Sequence, residues 1–440
     1  MGNAPMKRAA FFTLGCKVNQ YDTEAMQEQF VKKGYRIVDF EETADVYVVN
    51  TCTVTNLGDR KSRQMIRRAH RRNPDAVIAV VGCYAQRAAE EVLAMPGVKV
   101  AMGTKNRPKI VEYVEKAELE GVSINAVEDI MKIHEFEETP IEAYDGKTRA
   151  VLKIQEGCSQ FCAYCIIPYA RGPIRSRKQQ SIHDEVVRLA DRGFKEIVLT
   201  GIHIASYGRD LKDTDLITLL ENIHDINGLK RIRLGSVEPT LLSKDFVRRA
   251  KALPKVCRHY HVSLQSGCDE TLRRMNRRYT TGEYRDIIEN LKAEIPEAAV
   301  TTDIMAGFPG ETDGEFEKTL EFVEAIGFSR IHVFQYSPRE GTPAAAFKGQ
   351  VPASVKEERS RRLIELGHDL ELRFMKRFIG RTEDVLFEDE SPDYPGSLEG
   401  YTDHYLKVAA PGSAGIEGEI LPVRIEGISG ETLIGRLVQG

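Results

Sequence analysis

The stretch Cys158-Ser159-Gln160-Phe161-Cys162-Ala163-Tyr164-Cys165 determines how the rest of this 440-residue chain is interpreted. Its cysteines are separated by three and then two residues, so three thiolates can converge on one metal centre. A [4Fe–4S] cluster usually takes four cysteine ligands, so three leave one iron open to a substrate or cofactor. The alternatives are three unrelated thiols or a zinc site, which normally needs a fourth ligand. No cysteine or histidine follows within the next ten residues, which favours the iron–sulfur centre.

This octapeptide, including the aromatic residue before its third cysteine, resembles the signature of radical S-adenosylmethionine (SAM) enzymes. The resemblance implies that Cys158, Cys162 and Cys165 hold a [4Fe–4S] cluster whose open iron is chelated by SAM. It implies that Tyr164 packs near the adenine. It also implies that one electron from the cluster cleaves SAM to a radical that removes hydrogen from an unreactive C–H bond.

The composition is that of a globular protein with room for two or three domains, with 42% hydrophobic and 29% charged residues. No apolar run approaches the ~18 residues of a membrane span, and the first sixteen residues lack the apolar core of a secretion signal. We therefore expect a cytoplasmic protein without membrane contact. Eight cysteines in this setting indicate reduced thiols and metal ligation rather than disulfides. The net charge of −4 gives no global argument for nucleic-acid binding.

The N-terminal region predicts a parallel α/β sheet whose strands lead into cysteines. The predicted strands and the cysteines that follow them are 9–15 with Cys16, 45–50 with Cys52, and 76–82 with Cys83. Helical patterns over 20–33 and 57–72 separate them, which is typical of parallel sheets. Ligands bind at the carboxyl edge of such sheets, so three distant thiols can meet there. Free cysteine is often a small core residue, but three at equivalent strand ends favour a second cluster.

Three N-terminal motifs sharpen this prediction. They are Leu14-Gly15-Cys16-Lys17-Val18-Asn19-Gln20, Asn50-Thr51-Cys52-Thr53-Val54 and Gly82-Cys83-Tyr84-Ala85-Gln86-Arg87. They resemble the three motifs of the methylthiotransferase N-terminal domain. The resemblance implies that Cys16, Cys52 and Cys83 hold an auxiliary [4Fe–4S] cluster that carries the transferred sulfur. It further implies a cavity shared by both clusters, and SAM acting both as methyl donor and as radical source.

Basic runs in the first two regions are candidates for RNA contact. In the helix predicted at 57–72, phosphate binding is assigned to Arg63, Arg67, Arg68 and Arg71, the alternative being a solvated face. The runs Arg171–Lys178 and Arg273–Arg278 are expected to border an RNA entrance or to form solubilising surface.

The central region repeats a strand–helix unit. Predicted strands are 150–156, 196–201, 231–236, 259–264, 299–305 and 330–335. Six parallel units suit a partial (βα)6 barrel that is open on one side, with its site at the carboxyl ends of the strands. In radical SAM enzymes these ends contact the amino group and ribose of SAM. The resemblance assigns that contact to Thr200, Gly201, Ser236, Glu238, Gln265 and Ser266, for which ordinary loop chemistry is the alternative.

Other polar residues of the central region are interpreted as structural. Cys257 and Cys268 lie outside both triplets. His203, His259 and His261 lie on or near strands, where a histidine is more often a hydrogen-bonded core residue than a ligand.

The C-terminal region predicts a charged helix at 352–377 and a small β-barrel with strands at 383–388, 404–409, 419–425 and 432–438. Its position resembles the TRAM domain that ends methylthiotransferases and binds RNA in members acting on tRNA. From Arg381 onward, four Lys or Arg residues face twelve Asp or Glu residues, a net charge of −8. Phosphate attraction must therefore come mainly from the remaining chain, which carries +4.

The predicted architecture is α/β with three domains. An N-terminal parallel α/β sheet domain spans 1–116, a linker 117–147, a radical SAM core 148–377 and a TRAM-like β-barrel 378–440. The linker is acidic and turn-rich, with room for one short strand.

The whole chain resembles the radical SAM methylthiotransferases. The extended string Asn50–Asn56 with Ser62-Arg63-Gln64 is similar to the branch that acts on N6-threonylcarbamoyladenosine (t6A) at tRNA position 37, in the anticodon loop. The resemblance implies conversion of t6A to its 2-methylthio derivative, with an unidentified electron-donor protein. Alternatives within the family are N6-isopentenyladenosine in tRNA or an aspartate of a ribosomal protein, and the acidic tail keeps the ribosomal-protein substrate open. A non-catalytic iron–sulfur redox or RNA-binding module is the alternative of a different class.

Overall fold

The computed structural model describes residues 6–139, 141, 147–412 and 415–438. The chain forms two compact bodies. The first contains Met1–Asp145, Lys153–Arg177 and Ser337–Ala345, and the second contains Gly146–Leu152, Lys178–Tyr336 and Ala346–Gly440. Within the predicted linker, Pro140 and residues 142–146 lie outside the described residues.

The first body is built on a parallel sheet with the strand order β2-β1-β3-β4-β5-β6 among the described residues. Its elements are β1 (Arg8–Thr13), α1 (Lys17–Lys32), β2 (Arg36–Val38), β3 (Val46–Thr51), α2 (Asn56–Arg72), β4 (Val77–Gly82), α3 (Cys83–Arg87), α4 (Ala89–Leu93), β5 (Val98–Met102), α5 (Ile110–Glu120) and β6 (Ile124–Asn125).

Strands β3 and β4 are buried along their whole length and supply apolar side chains to both faces of the sheet. One apolar cluster contains Ile66 of α2, and the other contains Phe30 of α1 and Val114 of α5. This two-sided burial explains the continuous apolar runs, and the parallel α/β prediction is confirmed. The prediction missed β2 and β5, and it anticipated the short β6 as the one strand of the linker.

Two later segments of the chain complete the first body. Strand β7 (Arg149–Glu156) starts in the second body and enters the first at Lys153. There it pairs antiparallel with β8 (Arg175–Ser176) through Gln155 and Ser176, after the helix α6 (Ile167–Arg171). The other segment is residues 337–345.

The second body repeats strand and helix. Its elements are α7 (Gln179–Asp191), β9 (Glu196–Gly201), α8 (Leu216–His224), β10 (Arg231–Leu234), α9 (Lys244–Lys251), β11 (His259–His261), α10 (Asp269–Arg274), α11 (Thr281–Glu294), β12 (Ala299–Ala306), α12 (Asp313–Ile326), β13 (Arg330–Gln335) and α13 (Ala353–Lys376). Capping boxes begin α11 and α12, each with a threonine cap and a glutamate three residues later.

The strands of this body form the predicted open barrel. Strand β9 lies between β7 and β10, and β12 lies between β11 and β13. The pairs β9–β10, β11–β12 and β12–β13 are parallel. Single parallel bridges, Ile232 to Val256 and Val237 to Val262, continue the series from β10 to β11. The partial (βα)6 prediction is therefore confirmed.

A closed barrel follows, with the order β14-β15-β16-β18-β17 in the described part of the chain. Its strands are β14 (Thr382–Glu390), β15 (Ser397–Tyr401), β16 (Lys407–Pro411), β17 (Ile420–Ser429) and β18 (Thr432–Leu437). Val385, Phe387, Val408 and Val423 are fully buried in its core. The predicted small β-barrel is confirmed, although the sequence pattern missed β15.

Buried arginines attach this barrel to the rest of the second body. We call Arg149, Glu196, Arg231, Arg233 and Glu388 the barrel-side cluster. Arg233 donates to both carboxylate oxygens of Glu196, at 2.7 and 3.2 Å, and to the backbone carbonyls of Asp403 and Thr402, both at 3.0 Å. Its guanidinium lies 4.7 Å from the ring centre of Tyr405.

Candidate iron–sulfur site

The first cysteine triplet lies at one edge of the N-terminal sheet. Cys16 follows β1, Cys52 follows β3, and Cys83 follows β4, and these strands are neighbours. Gly15 has φ of +106°, and a Cβ added there would lie 3.0 Å from the Cβ and 3.1 Å from the Sγ of Cys52. The loops of Cys16 and Cys52 therefore touch. Cys83 is buried, Cys52 is partly buried and Cys16 is exposed, so the edge opens to solvent on one side.

The side chain of Asn19 hydrogen-bonds to the chain before both Cys16 and Cys52. Its side-chain amide donates to the carbonyl of Leu14 at 2.6 Å and to that of Thr51 at 3.0 Å. Asn50 donates in turn to the carbonyl of Asn19 at 2.9 Å. The residues that precede Cys16 and Cys52 are thus joined through one buried asparagine.

The second triplet lies on a loop of the same body, between β7 and α6. Gly157 has φ of +75°, and a Cβ there would lie 1.9 Å from the carbonyl oxygen of Pro173, so only glycine fits before Cys158. The Cys158 amide donates to Gly172 at 3.0 Å, and the Cys165 amide donates to Cys162 at 2.9 Å. Sequence analysis predicted the cysteines but not this backbone requirement.

Arg171 connects the two triplets. It ends α6, which packs against α3, the helix that begins at Cys83. Its Nε donates to the Cys83 sulfur at 3.1 Å, and its Nη2 donates to the Asn19 side chain. The residue is fully buried. One guanidinium therefore links the helix after the Cys158–Cys165 loop to a sulfur and to the asparagine of the other triplet.

Buried charges surround Arg171. It contacts Asp22 and Glu156, each at 3.1 Å, while Asp22 also pairs with Lys153 at 2.5 Å and Arg107 at 2.8 Å. Together with their described neighbours, we call these residues the cysteine-side cluster: Asp22, Arg107, Glu137, Lys153, Glu156, Arg171 and Arg175. Four cations and three carboxylates leave one positive charge in excess, which suits a neighbouring anionic centre.

The donor set fits an iron–sulfur cluster. Burial raises the pKa of Cys83 to about 12, against the opposing effect of Arg171, and burial also raises the pKa of Cys52. A buried thiolate therefore needs positive charge beside it, which a metal and the Arg171 guanidinium both provide. Three soft thiolates with an N–H donor to sulfur suit an iron–sulfur centre rather than a hard cation.

The expectation that Arg171–Lys178 forms a surface or an RNA border is wrong for its three arginines, whereas Lys178 is exposed. Arg171, Arg175 and Arg177 are 0%, 2% and 1% exposed. Their partners come from distant parts of the chain, such as the carbonyl of Ile133 for Arg175 and the carboxylate of Glu138 for Arg177. The sequence gives no sign of these partners, because a charge run is ordinarily solvated.

The predicted nucleoside-binding residues lie at the carboxyl ends of strands in the second body. Thr200 and Gly201 end β9, Ser236 and Glu238 follow β10, and Gln265 and Ser266 follow β11. Ser236 is exposed, and Glu238 and Gln265 are partly exposed.

Gln265 and Ser266 differ in environment. Gln265 has φ of +72° and bridges to β12 through Asp303 and Met305, at 2.8 and 2.9 Å. Ser266 is fully buried, and its hydroxyl contacts Thr319 at 3.3 Å and accepts from the Cys268 amide at 3.3 Å. A nucleoside contact by Ser266 stays a prediction that this burial does not favour.

Glu238 is held as an anion. Arg277 donates to both of its carboxylate oxygens at 2.8 Å, and His203 Nε2 lies 3.6 Å away. Burial acts to raise the pKa of Glu238, but the neighbouring His203 imidazole and the charge of Arg277 lower it below its usual value. Sequence analysis assigned Arg277 to a basic run and His203 to the core, and so missed their part in this strand end.

The other histidines and cysteines agree with a structural interpretation. His261 contacts the Thr301 hydroxyl at 3.0 Å and Asp303 at 3.2 Å, and His259 contacts the same hydroxyl at 3.1 Å. Cys257 and Cys268 are buried, and burial raises the pKa of Cys257 to about 12.

The arginines of α2 divide into two groups. Arg63 donates to the Tyr84 hydroxyl at 3.2 Å, and Arg68 pairs with Glu41 at 2.5 Å. Arg67 and Arg71 lie on the exposed face. Helix α2 begins four residues after Cys52, and Arg67 lies eleven residues beyond that start.

Three family descriptions match the chain in succession. Residues 8–103 match the Uncharacterized protein family UPF0004, residues 152–323 match the Radical SAM superfamily, and residues 376–438 match the TRAM domain. Across the described residues, none of the helices combines the length and the apolar composition that a membrane crossing requires.

Known relatives cover nearly the whole chain. The threonylcarbamoyladenosine tRNA methylthiotransferase MtaB of Bacillus subtilis is 45% identical, over 96% of this chain and 94% of its own. The tRNA-2-methylthio-N(6)-dimethylallyladenosine synthase of Pelotomaculum thermopropionicum is 36% identical, over 96% of each chain. The solved structure of the radical SAM methyltransferase TsrM from Kitasatospora setae, with cobalamin and a [4Fe–4S] cluster, overlaps with a TM-score of 0.59. It covers 77% of each chain at 16% identity, which shows the fold alone.

Proposed function

The chain belongs to the radical SAM methylthiotransferases of tRNA, and from this premise we propose that it converts N6-threonylcarbamoyladenosine at position 37, in the anticodon loop, to its 2-methylthio derivative. The choice of substrate is supported by the relative from Bacillus subtilis, which is named for t6A and is more similar than the dimethylallyladenosine synthase from Pelotomaculum thermopropionicum, at 45% against 36% identity.

A single observation carries the proposal of two clusters. Both cysteine triplets belong to the first body, and Arg171 contacts one of them from the helix that follows the other. We assign the radical-generating cluster to Cys158, Cys162 and Cys165. We assign the sulfur-carrying cluster, which is the auxiliary cluster, to Cys16, Cys52 and Cys83.

When bound, these clusters and SAM supply the electron, the radical, the methyl group and the sulfur that the reaction requires. The protein supplies thiolate ligands, the Arg171 guanidinium that offsets the negative charge of the Cys83 thiolate, and carboxylate and amide groups for the nucleoside part of SAM. Acid–base catalysis cannot replace this chemistry, because an adenine C2–H has no usable pKa.

The SAM contacts that we propose are Tyr164, expected from the cysteine octapeptide, and the residues expected from the strand ends: Thr200, Gly201, Ser236, Glu238, Gln265 and Ser266. Glu238 is the best supported, because its paired and partly exposed carboxylate is an acceptor that ribose hydroxyls can use. We propose domain boundaries after residues 116, 147 and 377.

The RNA surface is proposed on the exposed face of α2. Arg67 and Arg71 are its principal phosphate contacts, with smaller contributions from Arg63 and Arg68, which already have partners. The terminal barrel contributes little attraction, because Arg381, Lys407 and Arg436 each pair with a carboxylate. The electron donor is expected to be a separate protein, and the location the cytoplasm.

Nucleoside mass analysis of tRNA tests the substrate. Cells lacking the gene are expected to lose the 2-methylthio derivative of t6A and to regain it with the intact gene. Loss of the isopentenyladenosine derivative instead, or unchanged tRNA with a lighter ribosomal protein, would identify one of the alternative substrates. No change in any of these products would support a non-catalytic module.

Replacement of Cys16, Cys52 and Cys83 by alanine tests the division of roles. We expect iron to fall from about eight to about four atoms per chain, because one of two clusters is lost. SAM cleavage should persist while thiolation disappears. Product formed by the triple variant would show that this triplet does not carry the sulfur.

Replacement of Arg67 and Arg71 by glutamine tests the RNA surface. The variant is expected to bind tRNA more weakly and to show a salt dependence shallower by about two counterions, because two phosphate contacts are removed. Filter binding at several salt concentrations measures both effects. The same change at Arg248 and Lys251 of α9 serves as a charge-matched control.

A further inference from the structure

Residues 337–345 follow β13, the last strand of the open barrel, but belong to the first body. We call them the bracket segment. Neither the cysteine motifs nor the strand-end residues include any part of it, and the proposed function has given it no role.

One end of the bracket segment holds the loop after Cys52. Arg339 donates to the Asn56 side chain at 2.6 Å, to the Thr53 hydroxyl at 2.7 Å and to Asp59 at 2.6 Å. The Asn56 side chain donates to the carbonyl of Pro338 at 3.2 Å. All three partners of Arg339 lie within seven residues after Cys52, although about 280 residues separate them from it in the chain.

The other end contacts the remaining cysteine loops. Arg87, four residues after Cys83, donates to the carbonyl of Glu340 at 3.2 Å. The Ala344 amide donates to the carbonyl of Ala163, which lies between Cys162 and Cys165, at 2.9 Å. A turn closed by the Thr342 hydroxyl on the carbonyl of Arg339, at 2.7 Å, keeps the two ends together.

Arg339 is only 8% exposed, and its partner Asp59 is also largely buried. Both terminal nitrogens of the buried Arg339 guanidinium donate to these partners, so displacing Asp59 leaves a charge unpaired and displacing Asn56 or Thr53 leaves a buried N–H without an acceptor. The bracket segment therefore fixes a loop from each triplet to a single short piece of chain.

We propose that the bracket segment sets the position of the Cys52 loop relative to the loop of Cys162 and Cys165, with Arg339 as the positioning residue. This inference rests on the proposed function, because it assumes that Cys52 is a cluster ligand. Groups that orient metal ligands from behind commonly change metal affinity or activity by about 10- to 100-fold when they are removed.

The test uses the full chain with Cys158, Cys162 and Cys165 replaced by alanine, so that the auxiliary cluster is the one that remains. In this parent, Arg339→Gln is expected to lose iron to a chelator about 10- to 100-fold faster and to change the electron paramagnetic resonance spectrum of the reduced cluster. Arg339→Lys should recover part of the loss. In the chain with all cysteines, Arg339→Gln should still cleave SAM but lose thiolation, a split that a general loss of folding would not produce.

Lys7→Gln is the control, because it removes an exposed ion pair with Glu118 from the same body. It should leave iron retention unchanged. Iron retention and spectrum of Arg339→Gln equal to those of the parent would overturn the proposal while leaving the proposed function intact. A parent that binds no iron would overturn the auxiliary cluster itself and this inference with it.

Two milder variants decide the matter if Arg339→Gln does not fold. Asn56→Ala and Thr53→Val each remove one partner of Arg339 and leave its ion pair with Asp59. Each is expected to lose iron several-fold faster than the parent. Unchanged retention in both would overturn the proposal.

Discussion

The cysteine-side cluster and the barrel-side cluster both bury arginines in ion pairs, but the arginine N–H groups donate to different kinds of acceptor atom. In the barrel-side cluster, Arg233 is matched by the Glu196 carboxylate and two backbone carbonyls. In the cysteine-side cluster, Arg171 also pairs with carboxylates, yet its Nε is directed to the sulfur of Cys83.

Under the proposed ligand set, this difference separates arginines that attach parts of the fold from an arginine that acts on a metal centre. A guanidinium matched only by oxygen atoms of the polypeptide joins two parts of the fold, and replacing it costs stability. A guanidinium directed to a metal-ligand sulfur also changes the charge and orientation of the centre that the sulfur holds. The two clusters should therefore respond differently to the same substitution.

Replacement of Arg171 is expected to have the largest effect. Arg171→Gln removes a buried cation that contacts both Asp22 and Glu156, so the free energy of unfolding should fall by about 3–5 kcal/mol. Arg171→Lys keeps a cation beside these carboxylates but not the same donor to sulfur. With Cys158, Cys162 and Cys165 replaced by alanine, Arg171→Lys should lower iron affinity by about 10- to 100-fold, measured by chelator competition.

The Arg171→Lys result can break the comparison. The variant and the parent that keeps Arg171 are compared in iron affinity and in the reduction potential of the iron–sulfur centre. If both values are equal, then the cysteine-side cluster only attaches parts of the fold, as the barrel-side cluster does.

Replacement of Arg233 should change stability alone. Arg233→Gln leaves Glu196 buried without its main cation, and we expect a loss of about 3–5 kcal/mol in the unfolding of the second body, measured in urea. The folded fraction should bind as much iron as the unaltered protein. A loss of iron from folded Arg233→Gln would remove the distinction between the two clusters.

The smallest effect is expected from the pH dependence at Asp403, which neighbours the barrel-side cluster. Burial acts to raise its pKa, but the hydrogen bond and charge of His404, with Arg258 and Arg231, lower it. A lowered carboxyl pKa stabilises the folded state above the ordinary value near 3.8, and this contribution is lost as the pH falls further. Asp403→Asn should therefore flatten the decline of the unfolding temperature between about pH 5 and pH 3.

An equally steep decline in Asp403→Asn would show that other carboxylates cause it. Asp393→Asn, at an exposed position on the turn before β15, is the matched control.

The sequence predicted the elements that follow local rules. Continuous apolar runs predicted β1, β3, β4 and the parallel strands of the second body, with ends within two residues of the observed ones except for β11, which ends three residues earlier than predicted. Strand β15 was missed because it is short and has Gly400 as its fourth of five residues, which weakens the strand pattern. Cysteine spacing predicted both triplets, since spacing is a local property.

The supporting residues could not be predicted in the same way. Arg171 reaches Asp22 across 149 positions, and Arg339 reaches Asn56 across 283. Local composition placed Arg171 on the surface, because it contains no information about partners that distant. Only the fold brings the carboxylates that make such burial favourable.

The discontinuity of the first body has a consequence during synthesis. When the first 145 residues have left the ribosome, Cys16, Cys52 and Cys83 are present, but Arg171 and the bracket segment have not been made. The body is complete only once Ala345 emerges, after more than three quarters of the chain has been translated. We therefore expect the iron–sulfur cluster at the first triplet to assemble late in translation. Truncated chains that end before Ala345 should accumulate without this cluster.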